Sequence, residues 1–165
     1  MDKKYEFTDE EKLINNHTLH RIRALRDFGT VKAGDIGGWL EKEKNLSHTG
    51  DARVGGAACV YGNARVYGDA QVCGTAQVGG DARVGGDARV YGTADFSVIG
   101  GFGRSFRTTT FFRCQDGKVR TQCGCYYGDL KEFRAKVKET HGESKLAKEY
   151  LMIADLMEMH FAKER

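Results

Sequence analysis

Between Thr49 and Phe96 apolar and polar positions follow a strict period of six. Thr49-Gly-Asp-Ala-Arg-Val54, Gly55-Gly-Ala-Ala-Cys-Val60 and Tyr61-Gly-Asn-Ala-Arg-Val66 are followed by five further hexads without insertion. Gly holds the second place of each hexad, Ala the fourth and an apolar residue the sixth. Alternate residues of a strand share a face, so Ala and Val point one way and the intervening Arg, Gln or Cys the other. The pattern predicts one short strand per hexad. Gly followed by Asp, Asn or Thr predicts the bend, because Gly accepts a positive φ and Asx side chains bond their own backbone there. Such short strands cannot bury their Ala and Val alone, so the hexads must wrap and stack on one another.

The flanks carry other periods. Residues 4–8 and 18–24 read as strands, and 31–39 as an irregular first coil covering the exposed end of the repeat. The glycine-rich stretch 100–103 reads as a hinge, and strands at 106–114 and 118–123 flank the hairpin signal Asp116-Gly117. Asp129 and Glu132 have capping-box spacing, predicting a helix over 129–141 that Gly142 ends. Ser144 caps a last helix reaching about residue 163. Its apolar stripe of Leu146, Tyr150, Ile153, Met157 and Phe161 is expected to pack on the tail's own core. Met152, Leu156 and Met159 form a separate stripe flanked by Lys145 and Lys163, expected to meet a partner or a second copy. Packing of that stripe on the flank of the repeat is the competing expectation. The chain thus divides into an N-terminal cap with its first coil (1–48), the hexads (49–99) and a tail (100–165).

The hexads resemble the hexapeptide-repeat proteins, whose left-handed β-helix takes three hexads per triangular coil. This resemblance implies a mainly β fold class: a short left-handed parallel β-helix with an N-terminal strand cap and a C-terminal α+β tail of a hairpin plus two helices. The handedness comes from the resemblance alone, since parallel crossovers are otherwise right-handed. A right-handed solenoid and a nine-residue calcium-binding β-roll are the rival architectures, and the period of six disfavours the second. The ends carry a second resemblance. Leu19-His-Arg-Ile-Arg-Ala-Leu25, Val31-Lys-Ala-Gly-Asp-Ile-Gly-Gly-Trp39 and Asn45-Leu-Ser-His48, with Cys123-Gly-Cys125 ahead of Leu130-x-x-Phe133, are similar to a family of phage and prophage proteins. That resemblance implies an accessory protein in the cytoplasm of a bacterial host cell, binding a host macromolecule such as a component of bacterial defence. It supplies no catalytic residue.

Composition narrows the classes. The 165 residues hold 26 Lys plus Arg against 23 Asp plus Glu, and a net charge of +3 at this length announces neither a nucleic-acid nor a membrane binder. The charged start and the lack of a long apolar run predict a protein with no signal peptide and no membrane span. Five Cys then read as reduced thiols or metal ligands before disulfides.

Candidate chemistry is sparse. Many hexapeptide-repeat proteins are acyltransferases that use a histidine as general base, but here only His48 touches the repeat, at its entrance, so a structural histidine and a non-enzymatic binding protein are expected. With 18 residues per coil, Asp51, Asp69 and Asp87 form one column, Arg53, Gln71 and Arg89 another, and Arg65 with Arg83 a third. The Asp column is read as turn residues bonded to backbone before a cation site. Tyr61, Tyr67 and Tyr91 fall on three faces, which breaks any stacking ladder for single strands. Arg104, Arg107, Arg113, Lys118 and Arg120 face only Asp116 around the hairpin and are interleaved with Phe106, Phe111 and Phe112. This is the best nucleic-acid signal in the chain, against the plainer reading of a sheet with apolar residues inside and basic ones in water. Cys114, Cys123, Cys125 and His141 make a possible zinc ligand set, but Cys-x-Cys spacing is poor and no metal or other cofactor is expected. The partners expected are a bacterial host protein or complex and copies of the chain itself in a dimer or trimer, with nucleic acid as an alternative and no membrane.

Overall fold

The computed structural model describes residues 2–162. Two strands, β1 (Tyr5–Ile14) and β2 (His17–Ala24), open the chain as an antiparallel hairpin. Both run further than the sequence suggested, because Asn15 and Asn16 take positive φ (49° and 65°) and close the tight two-residue turn that Asn favours. Only Ile36–Leu40 of the expected first coil becomes a strand, β3, antiparallel to β2.

Seven hexads each contribute two strand residues. They are β4 (Arg53–Val54), β5 (Cys59–Val60), β6 (Arg65–Val66), β7 (Gln71–Val72), β8 (Gln77–Val78), β9 (Arg83–Val84) and β10 (Arg89–Val90). Residues 18 apart pair in parallel: Arg53 with Gln71 and Gln71 with Arg89, Cys59 with Gln77, and Arg65 with Arg83. The seven hexad glycines from Gly50 to Gly86 have φ between 58° and 73°, as the bends require. Val54, Val60, Val66, Val72, Val78, Val84 and Val90 and the Ala two places before each are 0–3% exposed and share one apolar interior. Each such Val contributes roughly 1.5–3 kcal/mol when removed from water.

The fold class nevertheless departs from the one the resemblance implied. The chain does not form a single left-handed parallel β-helix. It is mainly β, with several small sheets and two C-terminal helices. β4, β7 and β10 form one parallel sheet and β6 with β9 another, but β5 and β8 join β1, β2 and β3 in a mixed sheet. The remaining sheet is wholly antiparallel. The physical reason is that the hexad strands, paired 18 residues apart, divide into ladders of three, two and two, and the β5–β8 ladder is continued by β3 and the flanking hairpin of β1 and β2.

The antiparallel sheet is β11 (Phe96–Phe102), β12 (Arg107–Arg113), β13 (Val119–Cys123) and β14 (Tyr126–Asp129), twice the expected number of strands. The expected hinge is strand as far as Phe102 and then a turn. β12 is buried on both faces. Phe112 and Cys114 enter the hexad interior, whereas Phe111 joins the core under the helices. Helix α1 (Leu130–His141) starts at the expected box, Glu132 N donating to Asp129 Oδ1 (2.8 Å) and Asp129 N to Glu132 Oε2 (2.9 Å). Helix α2 (Lys145–Phe161) starts where Ala147 N donates to Ser144 Oγ (3.3 Å). No helix among the described residues is long and apolar enough to cross a membrane.

Candidate functional site on the outer face of the last helix

α2 uses its inner face completely. Ala147, Tyr150, Ile153, Ala154, Met157 and Phe161 are buried against Phe111, Phe133 and Val137, and Leu146 is half-buried. Phe133 meets both Phe111 and Tyr150 edge-on, with ring centres 5.8 Å apart in each case. Arg134 of α1 then ties the two helices, donating to Asp155 (2.9 Å) and Glu158 (3.0 Å). A helix fixed on one side so firmly presents its other side as a rigid surface.

That other side carries Met152, Leu156 and Met159, which are 71%, 48% and 70% exposed. They do not rest on the flank of the hexads. Lys145, Lys148 and Asp155 are exposed around them, while Lys163, the expected flank at the far end, lies outside the described residues. Met side chains repack at low cost, and three large apolar residues held within about one face of a helix form the kind of patch that marks association.

The basic hairpin is arranged differently. Arg113 Nε donates to Asp95 (3.1 Å), its Nη2 donates to the Phe161 carbonyl (2.9 Å), and the guanidinium lies over the Phe161 ring. Arg120 makes two 2.8 Å bonds to Asp116, whose carboxyl they hold far below the usual range, and Lys118 lies 3.9 Å from Asp129. Of the five cations, Arg104 and Arg107 alone have no acidic partner among the described residues. Phe111 and Phe112 are core, and only Phe106 is exposed.

The four metal candidates are spread over the tail. Cys114 is buried at the end of the hexads beside the Tyr127 hydroxyl (4.0 Å), and burial pushes its thiol up to about 11. Cys123 accepts from Thr109 Oγ1 (3.2 Å), Cys125 is exposed, and His141 stacks on Tyr150. Among the described residues no group of three His, Cys, Asp or Glu side chains is placed to hold a metal ion.

His48 is a packing residue in this arrangement. Its ring stacks on Tyr5, its Nδ1 accepts the Lys4 backbone N–H (3.0 Å) and its Nε2 faces Glu43 (3.0 Å). In the Asp column, Asp51 accepts from Gly29 N (3.2 Å) and Asp87 from the Tyr127 hydroxyl (3.0 Å). Cys59, expected to face outward, is 1% exposed where β3 pairs with β5.

Two polar residues that the sequence did not mark hold the start of the hexads. Lys4 is fully buried, its Nζ donating to the carbonyls of Ala52 (2.7 Å) and Gly50 (3.4 Å). Asn45, also fully buried, donates through Nδ2 to Ala64 O (2.8 Å) and Gly62 O (3.3 Å). A third such feature is how differently the outward arginines are served. Arg53 donates to Gln71 (3.3 Å) and Arg89 to three backbone carbonyls and Gln115, but Arg65 and Arg83 have no side-chain partner among the described residues. The signal was present in the column order, which sets one Arg over another with no acid between them. No family model matches the chain, and no curated protein matches it either.

Proposed function

We propose that this chain is a non-enzymatic binding protein, a phage accessory protein that engages a bacterial host protein through the outer face of α2. The observation that carries the reading is the exposure of Met152, Leu156 and Met159 on a helix whose opposite face is fully packed. Burying three such side chains in a partner's apolar groove removes them from water at no cost in reorganising α2, which favours a helix-in-groove contact. The bacterial cytoplasm and the defence-related target follow from the phage-like motifs of the sequence. The hexads serve as the rigid support from which the tail is displayed.

Leu156→Asp tests this. Leu156 is half exposed and outside the tail core, so the variant keeps its melting temperature within a few degrees. Wild type immobilised in a bacterial lysate retains a host protein that the variant loses, and the purified pair reproduces the loss. Retention of the same proteins by both forms overturns the reading. A wild-type dimer or trimer that Leu156→Asp converts to monomer in sedimentation makes a second copy the occupant of this face and removes the host protein from it.

A further inference from the structure

The hexad face formed by β6 and β9 carries two arginines with no compensating partner among the described residues. Arg65 and Arg83 pair in register, so their side chains leave the sheet at the ~4.8 Å spacing of adjacent strands. Both are exposed, and neither has an acidic or hydrogen-bonding side-chain partner among the described residues. On the face of β4, β7 and β10 the equivalent arginines are served by Gln71, Gln115 or backbone carbonyls. Grooves of ≈ 770 Å³ and ≈ 730 Å³ run along the two flanks of this pair, and Lys44, Arg65 and Arg83 line both.

The first groove adds Arg107 from β12, whose guanidinium lies against Gly124. Asp81 is its single acid, and it already accepts from Asn63 (3.2 Å), which in turn accepts from Lys44 Nζ (3.3 Å). Four cations against one carboxylate therefore converge from four separate elements on a space the size of a small-ligand site. The backbone behind them is pinned, since Arg83 N donates to Thr110 Oγ1 (3.0 Å) and Arg65 N to Ala82 O (2.9 Å).

We infer that this face binds a small ligand bearing more than one phosphate group, with one phosphate bridging Arg65 and Arg83 and a second reached by Arg107 and Lys44. Two guanidinium groups one strand apart can donate to different oxygens of the same phosphate, the planar fork being suited to such oxygens. A small ligand is favoured over a nucleic-acid strand because the positive surface is a closed patch. Glu43, paired with Lys3 and His48, bounds it on the second groove and Asp81 on the first. A strand would need cations continuing along the face.

The experiment is calorimetric titration of the full chain with ATP, with inorganic phosphate and with a 20-nucleotide thymidine strand as separate probes at low ionic strength. ATP should bind, inorganic phosphate should compete with it, and Arg65→Ala with Arg83→Ala should weaken ATP at least tenfold at an unchanged melting temperature. Arg104→Ala, which removes an exposed cation outside the groove, should leave ATP binding within twofold. Absence of ATP binding, equal affinity in the double variant, or equal loss in Arg104→Ala overturns the site. Binding of the thymidine strand more than tenfold tighter than ATP overturns the small-ligand assignment.

Discussion

The two ends of the hexad segment face opposite chemical problems. Along the parallel ladders the N–H groups of the outward residues point toward the next hexad layer, as from Arg53 N to Ala70 O (2.9 Å) and from Gln71 N to Ala88 O (2.9 Å). The N-terminal end is therefore left mainly with carbonyls and the C-terminal end mainly with N–H groups. Unpaired groups of either kind are costly when buried. The chain answers with donors at the start: Lys4 Nζ on Gly50 and Ala52, Asn45 Nδ2 on Gly62 and Ala64, and the backbone N–H of Trp39 on Ala58 (2.9 Å). At the finish it uses acceptors, with Thr110 Oγ1 taking Arg83 N (3.0 Å) and Thr93 Oγ1 taking Gln77 N (3.3 Å). The lesson is that the ends of a repeat are specified by bond polarity, where its middle is specified by size and apolarity.

The comparison is broken most directly at Asn45. Asn45→Ala removes the donor to Ala64 and the acceptor of Lys42 N (2.7 Å) at a fully buried position, and is expected to cost about 3 kcal/mol in urea denaturation. Asn45→Asp is nearly isosteric but turns acceptors toward the carbonyls, so it should cost more than the Ala variant near neutral pH. An Asp variant as stable as wild type would mean that the start of the ladders does not need donors.

How much of this was legible follows from the same contrast. The hexad interior was readable because the same Ala and Val places recur, so each error at one hexad is corrected by the next. The 18-residue register followed from that period. The small sheets did not, because where a short ladder hands its edge to a hairpin depends on the flanks: the Asn15-Asn16 turn extended β1 and β2, and β11 and β14 joined a hairpin that the sequence showed as two strands. β11 holds Gly100 and Gly101, which read as a hinge until pairing with β12 is seen. Lys4 and Asn45 look like surface residues in sequence, and nothing local tells that they are buried. In the tail, capping at Asp129 and Ser144 was legible from spacing, and so was the stripe of Met152, Leu156 and Met159. The internal pairing of Arg113 was not, because Asp95 and Phe161 reach it from distant parts of the chain.

Lys4 sharpens the comparison through pH. Burial, with Arg26 adding to it and Asp51 opposing, lowers its ammonium from 10.5 to about 8. Between these values the unfolded chain holds a proton that the folded chain has released, so this residue's contribution to stability rises with pH across that window. Below about pH 8 the buried charge is a constant cost. We expect a gain of about 2 kcal/mol between about pH 7 and about pH 9.5. Lys4→Met isolates it, because the Cys114 thiol, which burial pushes up to about 11, and the Tyr5 hydroxyl, which burial raises further, make stability fall with rising pH in both proteins. Parallel stability curves for wild type and Lys4→Met would show that the amine closing this end keeps its proton in the fold across this window.

The smallest expected effect lies at the opposite end. Thr110 is 1% exposed, and its hydroxyl accepts the Arg83 N–H that would otherwise point at the apolar underside of β12. Thr110→Val keeps the shape and removes the acceptor, so packing of Phe112 beside it is retained and only the amide is orphaned. The expected cost is about 1 kcal/mol, with faster hydrogen exchange at the Arg83 amide and little change at Gln77, whose acceptor is Thr93. Thr110→Ser, which restores the hydroxyl while losing the methyl group, should return protection to the Arg83 amide even where its stability falls below that of wild type. Protection that is unchanged in Thr110→Val would show this end to be closed by the bulk of Phe112 alone, and the rule of donors at one end and acceptors at the other would then hold only for the start of the ladders.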